Sequence, residues 1–68
     1  MIQISVNNII QHLPESSNIE QAIETLEFKD KTMLGVALNQ IFIPKEQWSE
    51  TLLKDQDQLD ILNPVSGG

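Results

Sequence analysis

The chain has 68 residues, 40% of them apolar and 21% charged, a composition typical of one small folded domain. A chain of this length buries only about 60% of the surface of its unfolded form, so a deep catalytic cleft is not expected. Ten acidic residues against four basic ones give a net charge of −6, which argues against nucleic acid as a partner. The charge suits docking onto a basic protein surface, although many soluble proteins are simply acidic.

Residue types that are missing from the chain exclude further classes of protein. There is no cysteine, which excludes disulfides, thiolate metal sites and a cysteine nucleophile. The N-terminal residues Met1–Ile4 lack a basic segment followed by an apolar run, so we expect no secretory signal. The longest apolar run, Met33–Leu38, is too short to span a bilayer. We therefore expect a cytoplasmic protein without contact to a membrane.

The first two predicted elements form a hairpin. Apolar and polar residues alternate over Ile2–Val6, which is the period of a strand with one buried face. Asn7 and Asn8 suit a tight turn in which both residues have positive φ. A second strand is predicted over Ile9–Leu13, and Pro14 ends it because proline has no N–H to donate.

A helix is predicted next. Ser17 lies three residues before Glu20, the spacing of a capping box, although Asn18 is an alternative cap. The helix is expected to run to about Glu27. Apolar residues at helical spacing form a single stripe, made of Ile19, Ala22, Ile23 and Leu26.

The second half of the chain predicts a second hairpin. Met33–Leu38 is nearly continuously apolar, as in an interior strand covered on much of both faces. Asn39–Gln40 is a candidate turn, and Ile41–Ile43 is the returning strand. Pro44 suits the first position of a short helical turn that runs to Trp48.

The remaining segments complete a small α+β domain. Thr51–Leu53 is predicted to be extended, Lys54–Asp57 a turn, and Leu59–Ile61 the last strand. One main helix laid across one face of a mixed sheet of four to five strands is the simplest packing of this order. We expect the first and last strands to lie adjacent and parallel in the centre. Residues 1–63 would form the domain, and residues 64–68 a flexible tail.

Candidate catalytic and metal-binding groups are sparse. The chain has a single histidine, His12, which is more consistent with a surface imidazole than with a general base. Asp55 and Asp57 resemble the start of a calcium loop, but the glycine and the closing glutamate are missing, so a hydrogen-bonded turn is favoured. Trp48 is interpreted as a core or rim aromatic residue rather than as a binding hot spot. We expect no metal site.

Apolar residues near the end of the last strand form a candidate partner surface. If Ile61 faces inward, Leu62 faces outward beside the tail, because side chains alternate along a strand. By the same rule, one of Phe42 and Ile43 must face outward. An exposed apolar patch of this kind marks a possible site of protein binding.

The chain ends in Gly67-Gly68, a pair expected by chance in roughly 1 chain in 200. Because glycine has no side chain, such a tail can thread a narrow channel in another protein and present its carboxylate there. That carboxylate could attack the α-phosphate of ATP and become an acyl-adenylate. A frayed end or a cloning artefact is the alternative interpretation, and the two glycines alone do not decide between them.

Several segments together resemble the ThiS family, sulfur carrier proteins of thiamin biosynthesis with a ubiquitin-like β-grasp fold. The matching segments are Val36–Gln40, Ile43–Trp48, Asp55, Asp57–Gln58, Ile61 and Gly67–Gly68. The first half of the chain matches in pattern and length rather than in residue identity.

The resemblance implies a mechanism in which the protein is a carrier substrate and not an enzyme. A ThiF-type enzyme would adenylate the Gly68 carboxylate with ATP, and a persulfide charged by a cysteine desulfurase would convert it to a thiocarboxylate. Thiazole synthase, ThiG, would take the sulfur. Val65, Ser66 and Gly67 would be recognised as the tail. The carrier itself would bind no cofactor, since the partner uses the ATP, and we expect it to be monomeric when free.

Two alternatives remain. Asn63–Ser66 resembles the tail of the small subunit of molybdopterin synthase, MoaD, a family with the same fold and tail chemistry that is usually longer and lacks the Glu-Gln-Trp segment. The other is a non-reactive ubiquitin-like interaction module with an incidental tail. The sequence also departs from the ThiS pattern, which usually has glycine where Gln56 stands. If φ is positive there, the turn is strained by about 1 kcal/mol.

Overall fold

The computed structural model describes residues 1–26 and 34–62. The elements of these residues are, in chain order, β1 (Ile2–Val6), β2 (Ile9–Leu13), α1 (Ile19–Thr25), β3 (Gly35–Leu38), β4 (Ile41–Phe42), a 3-10 helix (Lys45–Glu50) and β5 (Gln58–Leu62). The predictions made for Glu27, Met33 and the tail fall outside the described residues.

The five strands form one mixed sheet in the order β2-β1-β5-β3-β4. β1 and β5 are parallel neighbours in the centre, with Ser5 opposite Gln58 and Val6 opposite Leu59. The other three pairs are antiparallel. The predicted α+β class, and the prediction that the first and last strands meet in the centre, are therefore confirmed.

Asparagine-containing turns close both hairpins, as predicted. Asn7 and Asn8 have φ values of 51° and 69°, and Asn39 and Gln40 have 51° and 71°. Asparagine tolerates this left-handed region better than most residues, because its short polar side chain forms local hydrogen bonds. In each hairpin, the residues immediately before and after the two-residue turn are register partners.

Asn18, and not Ser17, caps helix α1, which corrects the first of the two predicted capping arrangements. The Gln21 N–H donates to Asn18 Oδ1 at 2.7 Å, and the Asn18 N–H donates to Gln21 Oε1 at 2.9 Å. Ser17 is buried; its hydroxyl donates to the Pro14 carbonyl, and its own carbonyl accepts from the Leu53 N–H at 2.8 Å. Since these contacts occupy Ser17, the neighbouring asparagine serves as the cap.

The core lies between α1 and one face of the sheet. Its buried residues are Ile2, Ile4, Val6, Leu13, Ile19, Ala22, Ile23, Val36, Trp48, Leu53, Leu59 and Ile61. Trp48 is only 2% exposed and donates its indole N–H to the Ile43 carbonyl at 3.0 Å, so the core interpretation of this residue is correct. Leu26, the last residue of the predicted apolar stripe, is half-buried and packs against this core.

Several predicted boundaries in the second half need correction. β3 begins at Gly35, and only Val36 is fully buried, so one face of this strand is covered rather than most of both. β4 stops at Phe42, one residue earlier than expected, because the chain turns into the 3-10 helix. Pro44 is the N-cap of that helix and not its first residue.

The turn after the 3-10 helix is tied to β1. The Gln56 N–H donates to the Gln3 carbonyl at 2.6 Å, and the Gln3 N–H donates to Asp55 Oδ1 at 2.7 Å. Asp57 accepts from the Lys54 N–H at 2.8 Å. The predicted turn, closed by side-chain-to-backbone hydrogen bonds, is therefore confirmed. Gln56 has a φ of 75°, the strained region that the missing glycine suggested.

Within the described residues, no helix combines the length and apolar character needed to cross a membrane.

Candidate functional site

The residues that the sequence assigned to the reactive tail, Val65, Ser66, Gly67 and Gly68, lie outside the described residues. The structure does describe β5, the strand that precedes them in the sequence. Leu59 and Ile61 of this strand are buried against the helix side of the sheet, and Leu62 is 71% exposed on the opposite side. The predicted inward direction of Ile61 and outward direction of Leu62 are both correct.

The end of β5 is held from both sides. On one side, Ile61 and Leu62 are the register partners of Val36 and Gly35 in β3. On the other side, the side chain of Asn7 bonds to both backbone groups of Ile61: Nδ2 donates to the carbonyl at 3.1 Å, and Oδ1 accepts from the N–H at 2.8 Å. The sequence indicated only a turn at Asn7, and no local pattern marks this contact.

The face of the sheet opposite the helix carries an apolar groove. It is lined by Gly35, Ala37, Phe42, Leu62, Asn7 and Asp60, which we call the open-face groove. Phe42 is 69% exposed and lies opposite Ala37 in the register of β3 and β4. Large exposed apolar side chains of this kind, grouped on one face, are typical of protein-binding surfaces.

Ile43 is not part of this surface. The sequence left open whether Phe42 or Ile43 faces outward, and the structure places Phe42 there. Ile43 is half-buried, packs against the core, and accepts the indole hydrogen bond of Trp48. Of the three candidate surface residues, Phe42 and Leu62 therefore line the groove, and Ile43 packs against the core.

One charged residue, Asp60, lines the open-face groove within the described residues. Its carboxylate accepts a hydrogen bond from Gln58 Nε2 at 3.1 Å. Asp60 lies opposite Ala37 of β3, and Phe42 of β4 lies on the other side of Ala37. A partner that fills this groove therefore needs an apolar surface together with a basic or hydrogen-bond-donating group.

The described residues contain no set of three or more His, Asp or Glu side chains placed to hold a metal ion. His12 is exposed on the edge strand β2. Asp55 is engaged by β1, and the hydrogen bonds that it accepts from the Gln3 N–H and the Gln56 side chain, together with the nearby N-terminus and His12, lower its pKa. Within the described residues, these groups form no catalytic constellation.

A comparison with known proteins decides the family. The model of a family described as the ThiS family matches residues 3–68 of the chain. The chain belongs to the ThiS family.

Individual members of the family agree with this assignment. The chain is 38% identical to the sulfur carrier protein ThiS of Escherichia coli (strain K12) over 47 residues, which span 66% of this chain and 71% of that relative. It superposes on the crystal structure of the thiamine biosynthesis protein ThiS from Geobacter metallireducens with a TM-score of 0.85 and 25% identity. That superposition covers 98% of this chain and 100% of the other.

Membership of the ThiS family confirms the ubiquitin-like β-grasp fold expected from the resemblance. It makes the chain a small sulfur carrier protein of thiamin biosynthesis rather than an enzyme. Membership of the family implies that the chain interacts with sulfur-transfer enzymes of thiamin biosynthesis.

Proposed function

We propose that this ThiS family protein carries sulfur as a thiocarboxylate on Gly68 and donates it for thiazole formation. The Gly68 carboxylate attacks the α-phosphate of ATP bound to a ThiF-type enzyme, and pyrophosphate leaves. A persulfide then attacks the acyl carbon of the adenylate and AMP leaves. Reductive cleavage of the S–S bond of the resulting acyl persulfide by a thiol leaves the thiocarboxylate, whose sulfur ThiG incorporates.

The observation that carries this proposal is the extent of the family match. It runs through residue 68, so it includes the glycine pair together with the folded part. In the sequence, the tail comes two residues after the end of β5, and the last two residues of β5 pair with β3 beside the open-face groove. An enzyme bound in that groove would have the tail within its reach, since six extended residues span about 20 Å.

The composition of the chain supports the assignment of each chemical step to a partner. The chain has no cysteine, so the sulfur on the tail would be the only reactive sulfur on a protein whose other sulfur atoms are in methionine. We therefore assign the ATP to the adenylating enzyme and the persulfide to the sulfur donor, with no cofactor bound by the carrier.

The open-face groove is the surface that we assign to the partner enzymes. Phe42 and Leu62 supply exposed apolar area, and Asp60 supplies one negative charge within it. The net charge of −6 favours the approach of a partner with a basic surface. We place the protein in the cytoplasm as a free monomer, with residues 1–63 as the domain that docks and residues 64–68 as the tail that reacts.

Adding one residue after Gly68 tests the proposal. The addition moves the carboxylate away from the glycine pair, so we expect no thiocarboxylate to form with ATP, the ThiF-type enzyme and a persulfide source. Deletion of Gly68 should have the same effect. The matched control is one residue added before Met1, which is 79% exposed and far from the tail in the sequence. Thiocarboxylate formation on the extended chain would contradict the assignment to Gly68. No thiocarboxylate on the unaltered chain, with an enzyme that is active on an established carrier, would instead support the non-reactive interaction module.

Complementation separates the thiamin pathway from the molybdenum cofactor pathway. We expect the chain to restore growth without thiamin in a strain that lacks its own ThiS protein. It should not restore molybdopterin synthesis in a strain that lacks the small subunit of molybdopterin synthase. The reverse result would support the MoaD-like alternative.

A further inference from the structure

The backbone pairing between β1 and β5 stops before β5 ends. Ser5 and Val6 are the last register partners of β5 on this side, and the Asn7 N–H donates to the Leu59 carbonyl at 3.0 Å. In a regular parallel ladder, the carbonyl of Asn7 would next accept the N–H of Ile61. Asn7 instead has a φ of 51° and begins the turn to β2, so the backbone of β1 leaves the sheet at this residue.

The side-chain amide of Asn7 takes the place of the missing strand. Its Oδ1 accepts the Ile61 N–H at 2.8 Å, and its Nδ2 donates to the Ile61 carbonyl at 3.1 Å. An amide presents one donor and one acceptor side by side, as an extended peptide does, so it satisfies both groups at once. Ile61 is thereby held on the β1 side as well as by Val36 on the β3 side.

We propose that Asn7 is a positioning residue for the reactive tail. Its amide fixes the backbone of Ile61, at the end of the strand that precedes the tail. The inference rests on the proposed function. Asn7 also lines the open-face groove, so the same side chain lies where the partner docks and where the tail begins. With the amide in place, the end of β5 is fixed relative to the docked enzyme.

Loss of the amide should affect the reaction more than the docking. Gly35 and Val36 still pair with the end of β5, so Leu62 keeps its place in the groove. The base of the tail, however, is then held from one side only. A small displacement of a reacting group can lower a rate by up to about a hundredfold, so we expect a fall of about tenfold in kcat with KM within about twofold.

The test measures ATP–pyrophosphate exchange by the ThiF-type enzyme as a function of carrier concentration, which gives kcat and KM. The variants are Asn7→Gly, which keeps the positive φ and removes the amide, and Asn7→Asp, which keeps the turn but puts an oxygen against the Ile61 carbonyl. The matched control is Asn8→Gly, at the other positive-φ residue of the same turn. Hydrogen exchange of the Ile61 amide shows whether the contact is lost.

The proposal expects lower kcat and faster Ile61 exchange for both Asn7 variants, with Asn8→Gly unchanged. An unchanged kcat together with lost Ile61 protection would overturn it. A rise in KM alone would also overturn it, because it would assign Asn7 to docking. The unaltered carrier and the chain lacking Gly68 are run alongside. If the unaltered carrier gives no exchange, it is the proposed function itself that fails.

Discussion

Gly35 and Leu62 are register partners at the end of the sheet from which the tail departs. A Cβ placed on Gly35 would lie 3.8 Å from the Leu62 Cβ, an ordinary contact distance. The glycine therefore leaves the side of Leu62 uncovered. Gly35 and Ala37 have small side chains or none, so they leave space in the open-face groove. This arrangement exposes Leu62 and Phe42 to a partner.

Leu62→Asp should weaken the productive complex with the ThiF-type enzyme. It replaces an apolar side chain that is 71% exposed in the groove with a second carboxylate near Asp60. Truncation of an interface contact of this kind costs about 1–2 kcal/mol, which corresponds to a rise of roughly five- to thirtyfold in KM. Steady-state adenylation kinetics measure this change.

The matched control for the groove is Leu52→Asp. Leu52 is 55% exposed and lies in the segment between the 3-10 helix and β5, away from the groove. The control makes the same change of charge and removes the same side chain. Equal KM values for the two variants would mean that the groove is not the docking surface.

Gln56→Gly should stabilise the fold. Gln56 has a φ of 75°, where a Cβ costs about 1–2 kcal/mol, while glycine increases the entropy of the unfolded chain by about 0.4–1 kcal/mol. The net gain in the free energy of unfolding is about 0.5–1 kcal/mol. Urea denaturation measures it, with Gln56→Ala as the control, because alanine keeps the Cβ and should bring no gain.

The hydrogen bond between Asp55 and β1 makes the stability depend on pH. The Gln3 N–H, first among several favourable contacts, lowers the pKa of Asp55 in the folded state. The unfolded chain therefore takes up a proton at a higher pH than the folded one does. The contribution is present above the ordinary aspartate pKa of about 3.9 and is lost as the pH falls through the lowered value.

Asp55→Asn tests this dependence. We expect the difference in urea midpoint between the unaltered chain and Asp55→Asn to shrink as the pH falls from about 6 to about 2. Glu46→Gln, which removes an exposed carboxylate from the 3-10 helix, is the control for the change in charge. A difference that stays constant over this pH range would contradict the assignment.

Trp48 should be the most sensitive position of the 3-10 helix. Trp48→Ala empties a site that is 2% exposed, at a cost of about 3–5 kcal/mol, which is much of the stability of a chain of this size. Trp48→Phe keeps an aromatic ring but leaves the Ile43 carbonyl without its indole donor, at about 1–2 kcal/mol. Thermal unfolding followed by circular dichroism ranks the two variants. A Trp48→Phe variant as stable as the unaltered chain would contradict the separate role of the indole N–H.

Local patterns in the sequence predicted most of the fold. The alternation over Ile2–Val6 identified the buried face of β1, and the asparagines of both hairpin turns were identified by their tolerance of positive φ. These features depend on the properties of neighbouring residues, which are visible in the sequence. The residues of the open-face groove were predicted only in part, because the inward or outward direction of Phe42 and Ile43 depends on the register of β4.

Apart from the pairing of the first and last strands, hydrogen bonds between distant parts of the chain were not predicted. Ser17 and Asn18 both fit a helix cap, and the hydrogen bond from Leu53 to the Ser17 carbonyl decides between them. Asn7 contacts Ile61 across 54 positions of sequence. The sequence shows that Asn7 suits a turn. It does not show that the Asn7 side chain also bonds to β5, because this contact depends on where the end of β5 lies in the fold.

The central claim is that Gly68 carries the sulfur, and the intact mass of the protein tests it most directly. The chain is incubated with ATP, the ThiF-type enzyme and a persulfide source, with an established carrier as the control for enzyme activity. We predict a mass increase equal to the exchange of one oxygen atom for one sulfur atom, located at Gly68 by fragmentation. An unchanged mass alongside an active control would contradict the account.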